Sequence, residues 1–446
     1  MSWFGTKTFS HGVHPPESKD ATCGLPIRQF PFAPVLVVPL SQHLGKPALP
    51  VVAEGEEVIR GQRIGRPDGT MSVAMHAPVS GLIKKIGLTP SIQGKMVPGV
   101  YIEPFPASTQ EVAEGSPCEV DSASPDEILA AIQEAGVVGL GGAAFPTHIK
   151  LRVPEGKHID TVIVNGVECE PYLTTDHRVM LEQREDIFQG IRYILRATRA
   201  EQVIIGVEAN KADAADGLRA IVPDDIPVRV EVVQVKYPQG AEKMLITALL
   251  GREVPSRGLP VDVHAMCINV ATTAEIGRLL PHGRGIQERV ITISGPAIGD
   301  KGNYRIPIGT PLRFILDTVG VSDALGRVFM GGPMMGPAAS SLDIAIVKGT
   351  SGVVAFTTEE TRNTSRQKEY PCIRCAYCVD ACPLYLNPSQ LGLLAKNHEY
   401  DRMAAEFNLM DCFECGSCSF VCPSHIPLVQ QFRVAKAAVR KARAAR

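Results

Sequence analysis

Eight cysteines near the C-terminal end of this 446-residue chain constrain its folding more than any other feature. Cys372, Cys375, Cys378 and Cys382 are followed by Pro383, and Cys412, Cys415, Cys418 and Cys422 by Pro423. Both groups read C-x2-C-x2-C-x3-C-P, and each cysteine lies 40 positions from its counterpart, so the region is an internal repeat. Three cysteines two apart let a short loop wrap one face of an iron–sulfur cube and offer thiolates to three irons, while the fourth iron needs a more distant ligand. The prolines end each loop, because proline fixes φ and has no N–H to donate. Zinc favours two separated C-x2-C pairs over a triplet followed by C-P, so structural zinc sites are the weaker reading of this spacing.

In two-cluster ferredoxins the fourth cysteine of each run ligates the other cluster. That rule assigns Cys372, Cys375, Cys378 and Cys422 to one [4Fe–4S] cluster, and Cys382, Cys412, Cys415 and Cys418 to a second. The remaining four of the 12 cysteines are scattered, unlike a secreted disulfide scaffold, which is short and cysteine-dense throughout. The length predicts about two to four domains. A formal net charge of −2 gives no sign of nucleic-acid binding. The start of the chain lacks a signal-peptide core, and its longest apolar runs are too short to span a bilayer. The sequence therefore predicts a soluble or peripheral cytoplasmic protein.

Upstream, residues 35–105 read as a small β domain, alternating apolar and polar residues around turn glycines Gly55, Gly61 and Gly65. It resembles a biotinyl- or lipoyl-carrier hairpin. No lysine lies between Arg66 and Lys84, however, and Thr70 stands where the modified lysine is expected, so an unmodified scaffold is predicted. Ser124-Pro125-Asp126-Glu127 is a capping box that predicts a helix start at Ser124 and a stop near Gly136. A glycine-rich loop, VVGLGGAAFPTHIKL, follows with no strand directly before it. Short apolar runs at 161–165, 202–207 and 228–235 alternate with helical patterns near 182–197, near 211–221 and after Gly240. Together these predict an α/β layer with a mostly parallel sheet.

Ligands sit beyond the carboxyl ends of strands in such sheets. That puts Asn165, Glu168 and Glu170 of NGVECEP, and the YPQGAE segment starting at Tyr237, where a ligand lies. Residues 288–350 read as a small α+β unit with a helix at 311–319, and polar residues 358–370 as a linker. The last residues, Arg433 to Arg446, carry six basic side chains and no acid. They read as a solvated terminal helix, with anionic lipid or a partner as the other possibility.

The segments GLGGAAFPTHIKL, NGVECEP, YPQGAEK and INVATT, in this order, resemble the flavoprotein subunit of respiratory complex I. The stretch ISGPAIGDKGNYRIPIGTPLRFIL resembles that family's β-grasp domain. Adding His14-Pro15-Pro16, the carrier-like domain and the paired cysteine motifs, the chain is most similar to the RnfC subunit of the Rnf ion-translocating electron transport complex. The resemblance implies a multidomain α/β protein. Its parts are an N-terminal segment and carrier-like β domain (1–120), an α/β FMN/NADH-binding domain (121–285), a soluble-ligand-binding β-grasp domain (286–357), a linker (358–370), and an α-helical two-[4Fe–4S] ferredoxin-like domain with a basic tail (371–446).

It further implies FMN on Gly139, Gly141 and Gly142, with Lys150, Asn165 and Asn269 also in contact. Phe145, Glu168 and Glu242 are implied to hold NAD(H). Leu140 and Val167 replace an arginine and an aspartate of the complex I pattern. No side-chain nucleophile or base is nominated, because the cofactors carry the chemistry. The implied protein is an NADH-linked translocase subunit, peripheral on the cytoplasmic face of the bacterial inner membrane. Its expected partners are other subunits of a membrane redox complex, with ferredoxin reached indirectly. A soluble cobalamin reductase built from similar domains, and a non-catalytic iron–sulfur relay and docking module, are the alternatives.

Overall fold

The computed structural model describes residues 7–365 and 367–444; Arg446 of the basic tail and Arg366 of the expected linker lie outside them. The β domain predicted at 35–105 forms as two small sheets. One has four strands in the order Leu36–Pro39, Met96–Pro104, Gly81–Pro90 and Glu57–Val58, and the other three, Leu49–Pro50, Arg63–Arg66 and Met75–His76. Leu36, Ile64, Ile83 and Val100 are buried, while Lys84 and Lys85 both stay exposed where the strand register shifts after Ile83. The turn holding Thr70 is docked, its carbonyl lying 2.8 Å from His148 Nε2 on the helix Thr147–Leu151.

The residues before these sheets also reach other units. Lys7 bridges Val233, and Val13 exchanges two backbone bonds with Tyr237. The strand Ile27–Gln29 then pairs in parallel with Gly302–Pro307. The segment is a strap that supplies strand edges to two other units, since backbone N–H and C=O groups need partners wherever they are buried.

The helix Pro125–Glu134 starts on the expected capping box, with Ser124 and Glu127 exchanging bonds. The parallel sheet follows in the order Val228–Val233, Gln202–Glu208, Thr161–Gly166 and Ala265–Asn269. Its two inner strands are nearly continuous apolar runs, buried on both faces by helices on either side. The fourth strand, not anticipated from the sequence, reverses the strand order beside Thr161–Gly166 and brings Asn269 level with Asn165. A crevice at such a switch point is where open α/β sheets bind ligands.

A five-stranded mixed sheet comes next, with Glu288–Ser294 between Gly302–Pro307 and Gly352–Thr357. The helix Leu312–Val319 packs Leu312, Ile315, Leu316 and Val319 into its core. The expected linker begins instead as a helix, Thr358–Ser365, started by reciprocal bonds between Thr357 and Glu360.

The repeat of the cysteine region extends to its backbone. The short helices Tyr377–Asp380 and Ser417–Phe420 correspond, as do the left-handed positions Arg374 and Glu414, Ala376 and Gly416, Tyr385 and His425. The terminal helix Leu428–Ala444 is not merely solvated. It buries Leu428, Val429, Phe432, Ala435 and Val439 in the core of this region, against Leu391 and Leu394 of the helix Pro388–Lys396.

Candidate functional site

A cavity of about 560 Å³ opens at the carboxyl end of the parallel sheet. The glycine-rich loop forms one wall and closes on itself through Gly139 N–H to the Phe145 carbonyl (2.8 Å) and Ala144 N–H to the Gly139 carbonyl (3.1 Å). Gly142, at φ 108°, makes the turn that a side chain rarely adopts, but it does not line the cavity. Leu140, which replaces the pattern's arginine, is buried, and its N–H donates to Thr272 Oγ1 (2.9 Å). A guanidinium reaches this loop by another route: buried Arg289, on the strand Glu288–Ser294, donates to the Leu140 carbonyl (2.9 Å). Burial lowers that guanidinium to about 10, against the opposing pull of Glu275 and Asp176.

Of the residues singled out in the sequence, Gly139, Gly141, Phe145, Lys150, Asn165, Glu168, Glu242 and Asn269 all line the cavity. Several spend their polar atoms on its frame. Asn165 donates to the Gly240 carbonyl (2.8 Å) and accepts from Val167 N–H (3.0 Å). Asn269 caps the helix Val270–Leu279, accepting from Thr272 N–H (3.2 Å), and donates to Asp176 Oδ2 (2.7 Å). Glu168 accepts from Asp176 N–H (2.9 Å) and His177 N–H (3.4 Å), at the start of the helix Thr175–Glu182. Lys150 and Glu242, expected on different cofactors, are ion-paired with each other. Burial works against the Lys150 charge, but Glu242 outweighs it and raises the ammonium above its ordinary value.

Two carboxyls at the cavity titrate high. Burial, then the charge of Glu168, pushes Asp176 up to about 7. Burial also raises Glu170 to about 7, although it accepts the N–H groups of Met334 (3.1 Å) and Met335 (2.9 Å). Sequence reasoning misses Asp176, Asp411 and Phe413 at this site. Only the YPQGAE segment's place after a strand points toward Tyr237.

The cysteines form two groups. Cys372, Cys375, Cys378 and Cys422 line a cavity of about 240 Å³. Ile373, Tyr377 and Tyr370 beside it are more than half exposed. Burial first, then the charges of Cys422, Cys372 and Cys375, raises the Cys378 thiol to about 11. The other group is enclosed, with Cys382, Cys415 and Cys418 all buried. Burial also raises Cys418, with Cys412, Cys415 and Cys382 the largest of the charges that add to it. Among the described residues no three His, Cys, Asp or Glu side chains converge on one ion position. A cubane spreads its thiolates over separate irons, and the four thiols around the first cavity suit that demand.

Each thiol set has further neighbours. Ser417 Oγ lies 3.4 Å from Cys415 Sγ. Lys436, buried on the terminal helix, donates to the Cys412 carbonyl and to Glu414 (2.8 Å), which also holds Arg433 (2.9 Å). The enclosed group adjoins the large cavity, because Asp411 and Phe413 of its loop line that cavity too. Asp411 docks this loop on the α/β domain, accepting from Ser256 Oγ and Arg257 N–H (2.9 Å).

Three family models match the chain: an RnfC barrel sandwich hybrid domain at residues 7–105, a Nuo51 FMN-binding domain at 132–278 and a 4Fe-4S dicluster domain at 371–426. The chain is 39% identical, over 96% of each sequence, to the C subunit of a Na(+)-translocating ferredoxin:NAD(+) oxidoreductase complex from Acetobacterium woodii. It is 41% identical to the C subunit of a proton-translocating ferredoxin:NAD(+) oxidoreductase complex from Clostridium ljungdahlii, covering 98% of this chain and 95% of that one. The C subunit of an ion-translocating oxidoreductase complex from Pseudomonas aeruginosa is 39% identical over 98% of this chain, which spans 56% of that longer protein. An NAD+-reducing [NiFe]-hydrogenase structure is a looser likeness, 20% identical with a TM-score of 0.48, covering 71% of this chain and 63% of that one.

Proposed function

This chain belongs to the RnfC family, the C subunits of ion-translocating oxidoreductase complexes, and on that premise we propose that it exchanges electrons between NAD(H) and a chain of two [4Fe–4S] clusters through FMN. The observation that carries the reading is the shared wall. The loop of one thiol set, through Asp411 and Phe413, is also a side of the cavity built by the glycine-rich loop.

In this reading FMN occupies the large cavity, with Gly139, Gly141 and Lys150 toward it. Bound flavin would take the electron pair of a hydride and part with single electrons, a conversion no side chain here can perform. The chain's own residues do the rest. Glycine-loop N–H groups favour the phosphate. Asn165, Asn269 and Glu168 hold the cavity's rim by the bonds they already make, a framing role in place of the direct contacts the resemblance implies. The Lys150–Glu242 pair offers a cation to the flavin side and an acid to the nucleotide side. Phe145 offers a half-buried ring for a nicotinamide to stack on. The five-stranded sheet is read as the β-grasp unit, and the repeat as the ferredoxin-like unit.

Cys382, Cys412, Cys415 and Cys418 would hold the inner cluster, next to the flavin, and Cys372, Cys375, Cys378 and Cys422 the outer one. No helix among the described residues is long and apolar enough to cross a membrane, so the ion path is assigned to other subunits. This chain is then peripheral to them, on the cytoplasmic face. Anaerobic reconstitution with iron, sulfide and FMN, followed by NADH titration, tests the reading. Flavin bleaching with NADH, and electron paramagnetic resonance signals of two clusters with dithionite, are expected. Clusters without flavin binding would leave only a relay and docking module.

A further inference from the structure

Tyr237 belongs to both sites. Its side chain lines the large cavity and is 1% exposed. Its hydroxyl donates to the backbone carbonyl of Cys415 at 2.6 Å, across 178 residues of sequence. Val13, Ala381 and Cys415 are buried around it, with Cys169 and Phe413 packed against the same cluster. The two backbone bonds to Val13 hold Tyr237 itself in place (2.8 and 2.9 Å). An unbroken line therefore runs from the cavity wall through the phenol ring, its hydroxyl and the Cys415 backbone to a thiol of the enclosed set.

We propose that Tyr237 is a positioning residue for electron transfer, supplying the bonded contact between the flavin cavity and the inner cluster. The inference rests on the reading of that cavity as the flavin site and of the enclosed thiols as cluster ligands. In each event one electron crosses, one side losing and the other gaining it. No bond of the tyrosine forms or breaks.

Other contacts cross the same interface. The Ser256–Asp411 bond docks the loop without Ser256 lining the cavity. Phe413 lines the cavity and follows Cys412 directly, but it is less buried and has no ring hydroxyl to bond across the gap.

The test uses the full chain with FMN and both clusters. The clusters are reduced with dithionite, excess reductant is removed, NAD+ is added, and cluster reoxidation is followed by stopped-flow absorbance. Y237F should slow reoxidation several-fold. That slowing should far exceed any change in FMN affinity or in flavin bleaching by NADH, and S256A should reoxidise at the parent rate. Equal slowing in Y237F and S256A would reduce Tyr237 to a docking contact and overturn the proposal. So would an unchanged rate in Y237F with a slowed F413L. If the parent chain itself takes up no FMN, the reading of the cavity fails, and this inference with it.

Discussion

The two cysteine loops share spacing, helix positions and left-handed residues, yet they sit in opposite surroundings. The outer loop presents Ile373 and Tyr377 to solvent around an open cavity. The inner loop buries Cys415 and Cys418 and is bonded to the α/β domain at Asp411 and through Cys415. Duplication has preserved the ligand geometry while the surroundings diverged. Position 377 is a tyrosine where 417 is a serine beside sulfur, and Lys396 is exposed where Lys436 is buried. Ligand spacing is what the two loops share, and packing is what sets them apart.

The largest test of this contrast removes one ligand from each loop. Cys375→Ala and Cys418→Ala should each lose about half of the iron and sulfide, because each cubane depends on its four thiolates. Only Cys418→Ala should also uncouple the flavin from the remaining cluster, seen as failure of NAD+ to reoxidise it. If both variants exchange electrons with flavin equally, the order inner then outer is wrong.

A second test uses pH on the inner side. Asp176 titrates near 7 in the folded chain against an ordinary value of 3.8. The folded state thus binds the proton more tightly than the unfolded one, and the stability this confers is lost as pH rises from about 4 through 7. The contribution is at most about 4 kcal/mol by linkage. Asp176→Asn should flatten the fall in melting temperature across that window. An unchanged slope would place the titration elsewhere.

Next in size is the pair of equivalent lysines. Lys436→Met leaves the Cys412 carbonyl and part of Glu414 without their donor, at a cost of about 1–3 kcal/mol. Lys396→Met, on the exposed surface, should stay within about 0.5 kcal/mol. Denaturant melts of the reconstituted chain compare them, and equal losses would erase the distinction. The smallest effect is redox tuning. Ser417→Ala removes a hydroxyl next to Cys415 sulfur and should lower the inner cluster's potential, since hydrogen bonds to sulfur favour the reduced cluster. Tyr377→Phe should leave the outer potential unchanged in the same titration.

What the sequence makes legible is local. The cysteine spacing, the Ser124 capping box and the apolar runs at 161–165 and 202–207 each carry their meaning within a few residues. What escapes is made by distance. Ala265–Asn269 is a strand because it docks beside Thr161–Gly166, and nothing in its short apolar run separates strand from helix. Asn165 stands out as a polar residue at a strand end and Asn269 only through the family resemblance, but their bonds to Gly240 and Asp176 depend on loops far along the chain. The helix Thr358–Ser365 reads as linker from its polarity, although Thr357 and Glu360 carry a capping pattern. The buried Arg289 behind the glycine loop has no motif to announce it.

The strap has a consequence for biosynthesis. Residues 7–29 leave the ribosome before any of their partners: Tyr172, Val233, Tyr237, Asn303 and, against His11, the ring of Tyr385. Domains generally fold in the order in which they are made. This segment must therefore wait while about 350 residues are added, and it closes over the molecule only once the cysteine region has arrived. The earliest-made part of the described chain is then among the last to complete its contacts.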